Sequence, residues 1–256
     1  MHKIRTESLT GIVLRSIPVG EADRLVIIVT RERGKFKCLA RGVRKPTSKL
    51  GGFLEPMHEV FITVQISRLY PIVKDVRTIG VLNQVSNNVP HYLYLMYIAE
   101  LLESFILEDE TNIEIFNLYK FILQIFNNVD EVNMLTLFFQ LKLLMLCGYG
   151  PELSSCVECR SVLNAEDQYF GFLQGGIICP RCMEEIRRTQ YAHIFEINLQ
   201  LIKLLRLSQR VTWEQLQTFK VNSKDISKSL QIINDYITYV IDRKLKSAQF
   251  LEFDRI

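Results

Sequence analysis

The stretch Gly34-Lys-Phe-Lys-Cys-Leu-Ala-Arg-Gly-Val43 alternates between two kinds of side chain. Its cations fall at odd positions, and the apolar Phe36, Cys38 and Ala40 fall at even positions. Because successive side chains of a β-strand point to opposite faces, this alternation predicts a strand with a basic outer face and an apolar inner face. The stretch is therefore predicted to be a strand that packs its apolar face against a core.

Four more runs rich in branched residues surround this strand, with Pro46 and Gly51-Gly52 marking a loop before the last two. We predict them as strands Leu9–Ile17, Leu25–Thr30, Met57–Ile66 and Leu69–Val76. Five short strands within about 80 residues favour a small barrel, for which an OB-fold is the natural candidate. An SH3-like barrel fits the pattern nearly as well.

Beyond residue 80 the apolar spacing becomes helical, at three and four residues. We predict the helices Tyr92–Leu107, Ile113–Phe126, Met134–Leu146, Ile197–Leu207 and Asp225–Leu245. Asn222-Ser223 offers an N-cap to the last one. The predicted fold class is α+β: a barrel domain over residues 1–80, then an all-helical domain over residues 81–256 that carries a cysteine module at 152–186.

The charge of the 256-residue chain is distributed unevenly between its β-rich first part and its helical remainder. The formal net charge is only +3, but residues 1–80 hold 15 basic and 7 acidic side chains, whereas residues 81–256 hold 16 and 21. The barrel segment is thus +8 and the remainder −5, an asymmetry that favours polyanion binding by the barrel.

The sequence gives no sign of membrane insertion or export. The longest apolar stretch, Leu135–Cys147, falls short of a membrane span, and no apolar segment follows the basic start as in a signal peptide. We therefore expect a cytoplasmic protein with no membrane partner, in a compartment where disulfides are rare.

Residues 31–49 contain eight cations opposed only by Glu32. Extended backbone spaces same-face side chains by about 6.5–7 Å, close to the phosphate spacing of an extended nucleic acid strand. The predicted DNA-contacting set, which adds one cation of the preceding strand, is Arg24, Arg31, Arg33, Lys35, Lys37, Arg41, Arg44, Lys45 and Lys49. A solvated basic face, or a face for an acidic partner protein, remains the alternative.

Two aromatic residues accompany this run. Phe36 has core parity, which argues against a stacking role. Phe53, which follows Gly51-Gly52, could stack on a base or could plug the barrel beneath a loop.

Four of the six cysteines form Cys156-x2-Cys159 and Cys179-x2-Cys182, separated by 19 residues. Two such pairs supply a tetrahedral all-sulfur shell that suits one structural Zn²⁺, with iron as a rival metal. Two redox pairs, or four thiols without a shared role, are the alternatives. The segment Gln168–Ile178 between them reads as a hairpin turning at Gly175-Gly176. Cys38 and Cys147 are interpreted as buried small hydrophobes.

Motifs of catalysis are missing from the sequence. It contains no GxxxxGK[ST], GxGxxG, HExxH or GxSxG. Four cysteine ligands would also leave no position on the metal for a reactive water. We therefore expect no enzyme activity and no small-molecule substrate, with a metal-dependent hydrolase or deaminase as a minor alternative.

Several segments together resemble the bacterial RecO family. They are Gly20-Glu-Ala-Asp-Arg-Leu, Thr30-Arg-Glu-Arg-Gly-Lys, Ala40-Arg-Gly-Val-Arg-Lys-Pro-Thr-Ser-Lys-Leu, Gly148-Tyr-Gly-Pro-Glu-Leu with the first cysteine pair, and Phe170-x4-Gly175-Gly176-x2-Cys179-x2-Cys182. The resemblance extends, in order, over nearly the whole chain.

The resemblance implies an N-terminal OB-fold, a helical body and a zinc module within that body. It implies a recombination mediator that binds single- and double-stranded DNA and anneals complementary strands. It further implies contacts with single-stranded-DNA-binding protein and with RecR in the RecF pathway, at the nucleoid. Zinc ligation carries over to Cys156, Cys159, Cys179 and Cys182, and DNA contact carries over to the basic barrel residues as a group.

Overall fold

The computed structural model describes residues 5–48, 50–82, 89–186 and 193–251. The chain divides into two compact units, residues 1–128 and 129–256. Within the described ranges, no helix has both the length and the apolar character needed to cross a membrane.

The first unit is built around a closed five-stranded barrel with the strand order β1-β2-β3-β5-β4. Its strands are β1 Thr6–Val19, β2 Asp23–Thr30, β3 Gly34–Ala40, β4 His58–Gln65 and β5 Ile72–Val81. The 14-residue β1 pairs with β4 through its first half and with β2 through its second, with an irregular register between Val13 and Arg15. A parallel contact between Leu39 and Ile72 closes the barrel.

The alternation in residues 34–43 corresponds, as predicted, to a strand with one buried face and one half-exposed face. Phe36, Cys38 and Ala40 are buried in the barrel core, while Lys35 and Lys37 are half-exposed on the other face. The strand ends at Ala40, so the prediction to Val43 was three residues too long. The core is completed by apolar residues of the other strands and the connecting loop: Leu9, Val13, Val26, Ile28, Val43, Leu54, Val60, Ile62, Val64, Val73 and Val76.

The fifth strand differs most from its prediction, since it covers Ile72–Val81 rather than Leu69–Val76. Pro71 has no backbone N–H for a ladder hydrogen bond, and the strand begins immediately after it. Leu69 and Tyr70 consequently lie in the β4–β5 loop, and Leu69 is 89% exposed. These two apolar residues therefore belong to an exposed loop and not to a strand.

Two helices complete the first unit: α1 Val89–Phe105 and α2 Ile113–Ile125. The Asn112 side chain caps α2 by accepting a hydrogen bond from the Ile115 N–H. Lys120 of α2 pairs with the buried Glu59 of β4 at 2.6 Å. These helices belong to the same compact unit as the barrel. The domain division at residue 80 remains a prediction from composition.

The second unit has a helical core formed by α3 Val132–Leu146, α5 Leu199–Arg210 and α7 Ser223–Ile241. The helix α3 is buried nearly all around. As predicted, Asn222 caps α7, accepting a hydrogen bond from the Lys224 N–H. The stripe on α7 is buried at Ile226, Leu230, Ile233 and Ile237 and half-buried at Val240. Two short helices, α4 Pro180–Ile186 and α6 Trp213–Leu216, were not predicted.

The second unit is not all-helical, because it contains an antiparallel sheet of order β7-β6-β8. Its strands are β6 Gln168–Gly171, β7 Gly176–Ile178 and β8 Ile194–Ile197. The predicted hairpin exists, but it turns through residues 172–175, since Gly176 already pairs with Gly171. A Cβ on Gly176 would overlap the Glu152 carbonyl oxygen.

The strand β8 was missed because it is four residues long and its partner β6 is remote in sequence. Ile197, predicted as the start of a helix, is the last residue of β8. The helix α5 begins two residues later, where the Asn198 side chain accepts a hydrogen bond from the Leu201 N–H.

Candidate functional site

The four predicted ligands come together in the second unit. The Sγ atoms of Cys156, Cys159, Cys179 and Cys182 all lie within 4.8 Å of one another. The first pair lies in a turn that brings the Arg160 N–H to the Cys156 carbonyl oxygen at 2.9 Å, with Arg160 in the left-handed conformation. The second pair joins the end of β7 to the first turn of α4. The cluster can hold one metal ion.

The thiols of the cluster differ in acidity. Hydrogen bonds from Ser161 lower the pKa of the Cys159 thiol to about 6, whereas burial raises the pKa of Cys179 and of Cys182. The Cys179 N–H also donates to the Cys156 sulfur at 3.3 Å. Because a metal ion binds the thiolate form, its charge would offset the cost of ionising the buried thiols. The donor set therefore fits a thiophilic cation.

The apolar cluster directly around the cysteines is small. Its buried members are Cys156, Ile178, Cys182 and Ile186, so half of them are candidate ligands themselves. A segment with so little core is the kind that a structural metal holds together.

Three polar residues that the sequence analysis missed hold the chain that enters the module. The Arg206 Nε donates to the Leu153 carbonyl oxygen at 2.5 Å, and the Arg210 guanidinium donates to the Ser154 hydroxyl at 2.7 Å. The Glu152 carboxylate accepts the backbone N–H groups of Ser154 and Ser155, which lower its pKa. Arg206 and Arg210 belong to no motif, since their roles depend on contacts 53 and 56 residues apart in the chain. Glu152 lies within the segment Gly148-Tyr-Gly-Pro-Glu-Leu, and its hydrogen bonds are local.

The basic run on the barrel divides into two regions. The first, which we call the strand cations, comprises Arg33, Lys35 and Lys37. Arg33 pairs with Glu7 at 3.0 Å and with Asp109, and the Lys35 ammonium donates to the Glu103 carbonyl oxygen at 2.9 Å. Lys37 pairs with Glu108 at 2.5 Å, and this hydrogen bond raises the pKa of Lys37.

Residues 107–111, which follow α1 and which we call the acidic segment, lie alongside β3. The Lys35 N–H donates to the Leu107 carbonyl oxygen and the Asp109 N–H donates to the Lys35 carbonyl oxygen, both at 3.3 Å. Gly34 has a φ of 60°, and a Cβ there would overlap the Glu110 carbonyl oxygen. Glycine at position 34 is therefore required for this close approach.

The second region, the loop cations, comprises Arg41, Arg44 and Lys45, all exposed. The β1–β2 turn supports this loop: Asp23 Oδ1 accepts the Gly42 N–H at 2.7 Å, and the Ala22 carbonyl oxygen accepts the Arg44 N–H at 2.9 Å. Among the residues that the structure describes, none of these three side chains forms an ion pair. The Arg44 guanidinium donates to the Gly20 carbonyl oxygen at 3.0 Å, but no carboxylate among the described residues pairs with any of the three charges.

The other predicted contact residues belong to neither the strand cations nor the loop cations. Arg24 pairs with Glu55 at 2.7 Å, and the exposed Arg31 lies over the Phe116 ring, 5.6 Å from its centroid. Lys49 lies outside the described residues. Contact between this set of residues and DNA stays a prediction.

The aromatic and remaining cysteine residues sort clearly by burial. Phe36 is 4% exposed and cannot stack on a base, whereas Phe53 is 40% exposed. Tyr70, which the sequence analysis assigned to a strand, is equally exposed at 41%. Cys38 is buried as predicted, and burial raises the pKa of its thiol to about 12. Cys147 is only half-buried.

The fold and the cluster define a class: proteins that combine a small basic β-barrel with a helical unit carrying a four-thiol metal-type cluster. Family models agree with both parts. The family model described as "Recombination protein O N terminal" matches residues 1–80. The model described as "Recombination protein O C terminal" matches residues 87–249. The chain therefore belongs to the RecO family of DNA repair proteins.

Individual relatives support the assignment. The chain is 29% identical over 251 residues to the DNA repair protein RecO of Dehalococcoides mccartyi, an alignment that covers 98% of this chain and 96% of the relative. It is 29% identical to the protein of the same name from Pelotomaculum thermopropionicum, over 94% of this chain and 92% of the relative. The corresponding protein of Halalkalibacterium halodurans is 28% identical with the same two coverages.

Proposed function

We propose that this protein is a DNA-binding recombination mediator of the RecF pathway. It binds single- and double-stranded DNA, anneals complementary strands, and helps to load recombinase on strands coated by single-stranded-DNA-binding protein. RecR is its second protein partner, and the nucleoid in the cytoplasm is its location. Membership of a DNA repair family supports this function, and the uncompensated charge of the loop cations is the observation that carries it.

We further propose that the barrel is an OB-fold. Its strand order, β1-β2-β3-β5-β4, is the one expected of that five-stranded Greek-key barrel. OB-folds bind oligonucleotides on the β2–β3 face and with the β1–β2 and β4–β5 loops. The loop cations follow β3 directly and are supported by the β1–β2 turn.

In the proposed mechanism the barrel neutralises phosphates. Arg41, Arg44 and Lys45 replace condensed counterions on the strand, and the released ions supply much of the binding free energy. Because two complementary strands repel each other through their phosphates, neutralising both lowers the barrier to annealing. No base-edge reading is involved, so binding tolerates any sequence.

The test is the triple reversal Arg41→Glu/Arg44→Glu/Lys45→Glu, measured by fluorescence anisotropy with a labelled oligo(dT). We expect a loss of affinity of roughly 100-fold, since three phosphate contacts become repulsive. The matched control, Lys220→Glu/Lys224→Glu/Lys228→Glu, makes the same change in net charge at exposed positions of the second unit. Equal losses in the two variants would show a general charge effect and would reject the proposed site.

We also propose that the four cysteines hold one structural Zn²⁺. Cys156→Ser should release the metal and lower the thermal midpoint, because two of the four buried members of the apolar cluster around the site are cysteines. Cys147→Ser, a cysteine outside the cluster, should keep both the metal and the midpoint. Elemental analysis and thermal melts, each with and without a chelator, measure the outcome. A melting curve that chelation leaves unchanged would contradict a structural metal.

The chain is proposed to have no enzymatic activity, because four thiolate ligands would leave no open position on the metal. A metal-dependent hydrolase or deaminase would instead require a labile metal-bound water. Metal analysis combined with a thiol-accessibility assay separates the two: four protected thiols and no labile water indicate a structural ion.

A second candidate function is that of an adaptor whose basic barrel binds an acidic partner protein. One observation favours it, since β3 already binds an acidic peptide segment of its own chain. Competition separates the two functions. An acidic peptide with the sequence of residues 107–111 should not displace oligo(dT) from the loop cations if the ligand is DNA, and DNA alone should show the steep salt dependence of counterion release.

A further inference from the structure

The β4–β5 loop lies against the end of β3, next to the loop cations. The Leu39 N–H donates to the Pro71 carbonyl oxygen at 2.8 Å, and Leu39 pairs with Ile72. A hydrogen bond of 2.5 Å from the Ser67 hydroxyl to the Tyr70 carbonyl oxygen fixes the turn of the loop. The residue Tyr70 is therefore held one position away from the contact with β3.

Tyr70 directly precedes Pro71, whose carbonyl oxygen accepts the Leu39 N–H, so Tyr70 lies beside the end of β3. The strand β3 ends at Ala40, and Arg41 is the first residue of the turn that follows it. Arg41 is therefore two residues along the chain from Leu39, the residue of β3 that contacts the β4–β5 loop.

Leu69 and Tyr70 of this loop do not belong to the barrel core. Tyr70 is 41% exposed and its neighbour Leu69 is 89% exposed, while Arg68 adds an exposed cation. The acidic segment covers the opposite end of the outer face of β3, at Arg33 to Lys37. Exposed aromatic surface beside uncompensated cations is thus concentrated at one end of the strand. This combination suits a nucleic acid with unpaired bases, since bases stack on aromatic rings while cations hold the phosphates.

We propose that Tyr70 stacks on an unpaired base of single-stranded DNA whose phosphates are bound by Arg41, Arg44 and Lys45. The β4–β5 loop thereby distinguishes single strands from duplex, because the bases of a duplex are already stacked on one another. This inference rests on the proposed function and assigns a further binding residue to the same site.

Affinities for oligo(dT) and for a duplex of equal length test the proposal. Tyr70→Ala should lower affinity for oligo(dT) by about tenfold, within the range of base–aromatic stacking, and leave duplex affinity within about twofold. Tyr70→Phe should bind both like the wild type. Phe61→Ala is the matched control, because Phe61 is an exposed aromatic on β4, paired with Thr10 and Arg77 away from β3, and it should alter neither affinity.

A direct readout of stacking comes from Tyr70→Trp in the full chain. The single native tryptophan, Trp213, is 6% exposed and provides a constant background. Saturation with oligo(dT) should quench the added emission, and duplex should leave it unchanged. An absence of quenching while anisotropy reports binding would overturn the stacking role, as would equal losses of Tyr70→Ala on both ligands.

The outcomes also separate this inference from the proposed function. If the triple reversal of the loop cations abolishes binding but Tyr70→Ala is neutral, only the inference fails. If the wild-type protein binds neither ligand, the proposed function fails and the inference fails with it.

Discussion

The strand cations and the loop cations have the same sequence character and different surroundings. Both belong to one run of eight cations opposed by a single acid within residues 31–49. In the folded chain, Arg33 and Lys37 pair with acids and Lys35 donates to a carbonyl oxygen. Arg41, Arg44 and Lys45 form no ion pair among the described residues.

A cluster of cations in a sequence therefore overstates the charge that the folded chain presents to a ligand. The acids that neutralise the strand cations come from two distant places, Glu7 of β1 and the acidic segment. A phosphate that reached Lys37 would have to replace a carboxylate, with little net electrostatic gain. A phosphate that reached Arg41 would replace only water and counterions.

The salt dependence of binding gives the largest expected difference. If the three loop cations alone contact phosphates of a single strand, affinity should fall by about 20-fold between 50 and 200 mM salt. If the strand cations contribute equally, six contacts should give a fall of roughly 300-fold. A titration of labelled oligo(dT) over that range measures the number of contacts, and a slope that indicates six would remove the distinction between the regions.

A smaller effect is expected when the acidic segment loses its charge. Glu108→Gln/Asp109→Asn removes the carboxylates that pair with Lys37 and Arg33. The released cations become available to phosphates, so oligo(dT) affinity at low salt should rise about fivefold and the salt slope should steepen. Glu166→Gln/Asp130→Asn, a matched change at exposed acids of the second unit, should have no such effect. Equal rises in both would mean that net charge and not the segment is responsible, and an unchanged affinity of the segment variant would contradict the prediction.

The smallest change in affinity is expected from Arg33→Gln/Lys35→Gln/Lys37→Gln. Because these side chains are already engaged within the unit, DNA affinity should change by less than about threefold, while the thermal midpoint falls as the ion pairs are lost. Anisotropy and a melting curve on the same preparation give both values. A loss of affinity comparable to that of the loop reversal would show that DNA displaces the acidic segment and binds β3 directly.

Much of the fold could be predicted because its signals are local. The alternation around Phe36, Cys38 and Ala40 correctly identified a strand and its buried face. Asn222 marked the start of α7 because a cap is a contact between residues two positions apart. The four cysteines were identified by spacing alone, since two residues between thiols suffice to point both at one ion.

Other features failed because they depend on residues remote in the chain. Tyr70 was placed in a strand because its apolar character fits one, but the contact of Pro71 with Leu39 places it in a loop. The strand β8 exists only through its pairing with β6, more than 20 residues earlier. No sequence motif predicted the contacts of Arg206 and Arg210 with the cysteine module.

Composition and periodicity within a few residues were enough to predict most of the barrel strands, the longer helices, the four-cysteine set and the concentration of positive charge near the N-terminus. Which of those charges are paired depended on the tertiary fold. Electrostatic compensation depends on distance in space, and Glu108 is 71 residues from Lys37 in the chain yet forms an ion pair with it at 2.5 Å. Among the described residues of the basic run, the strand cations Arg33 and Lys37 are paired with carboxylates, whereas the loop cations that follow β3 form no ion pair.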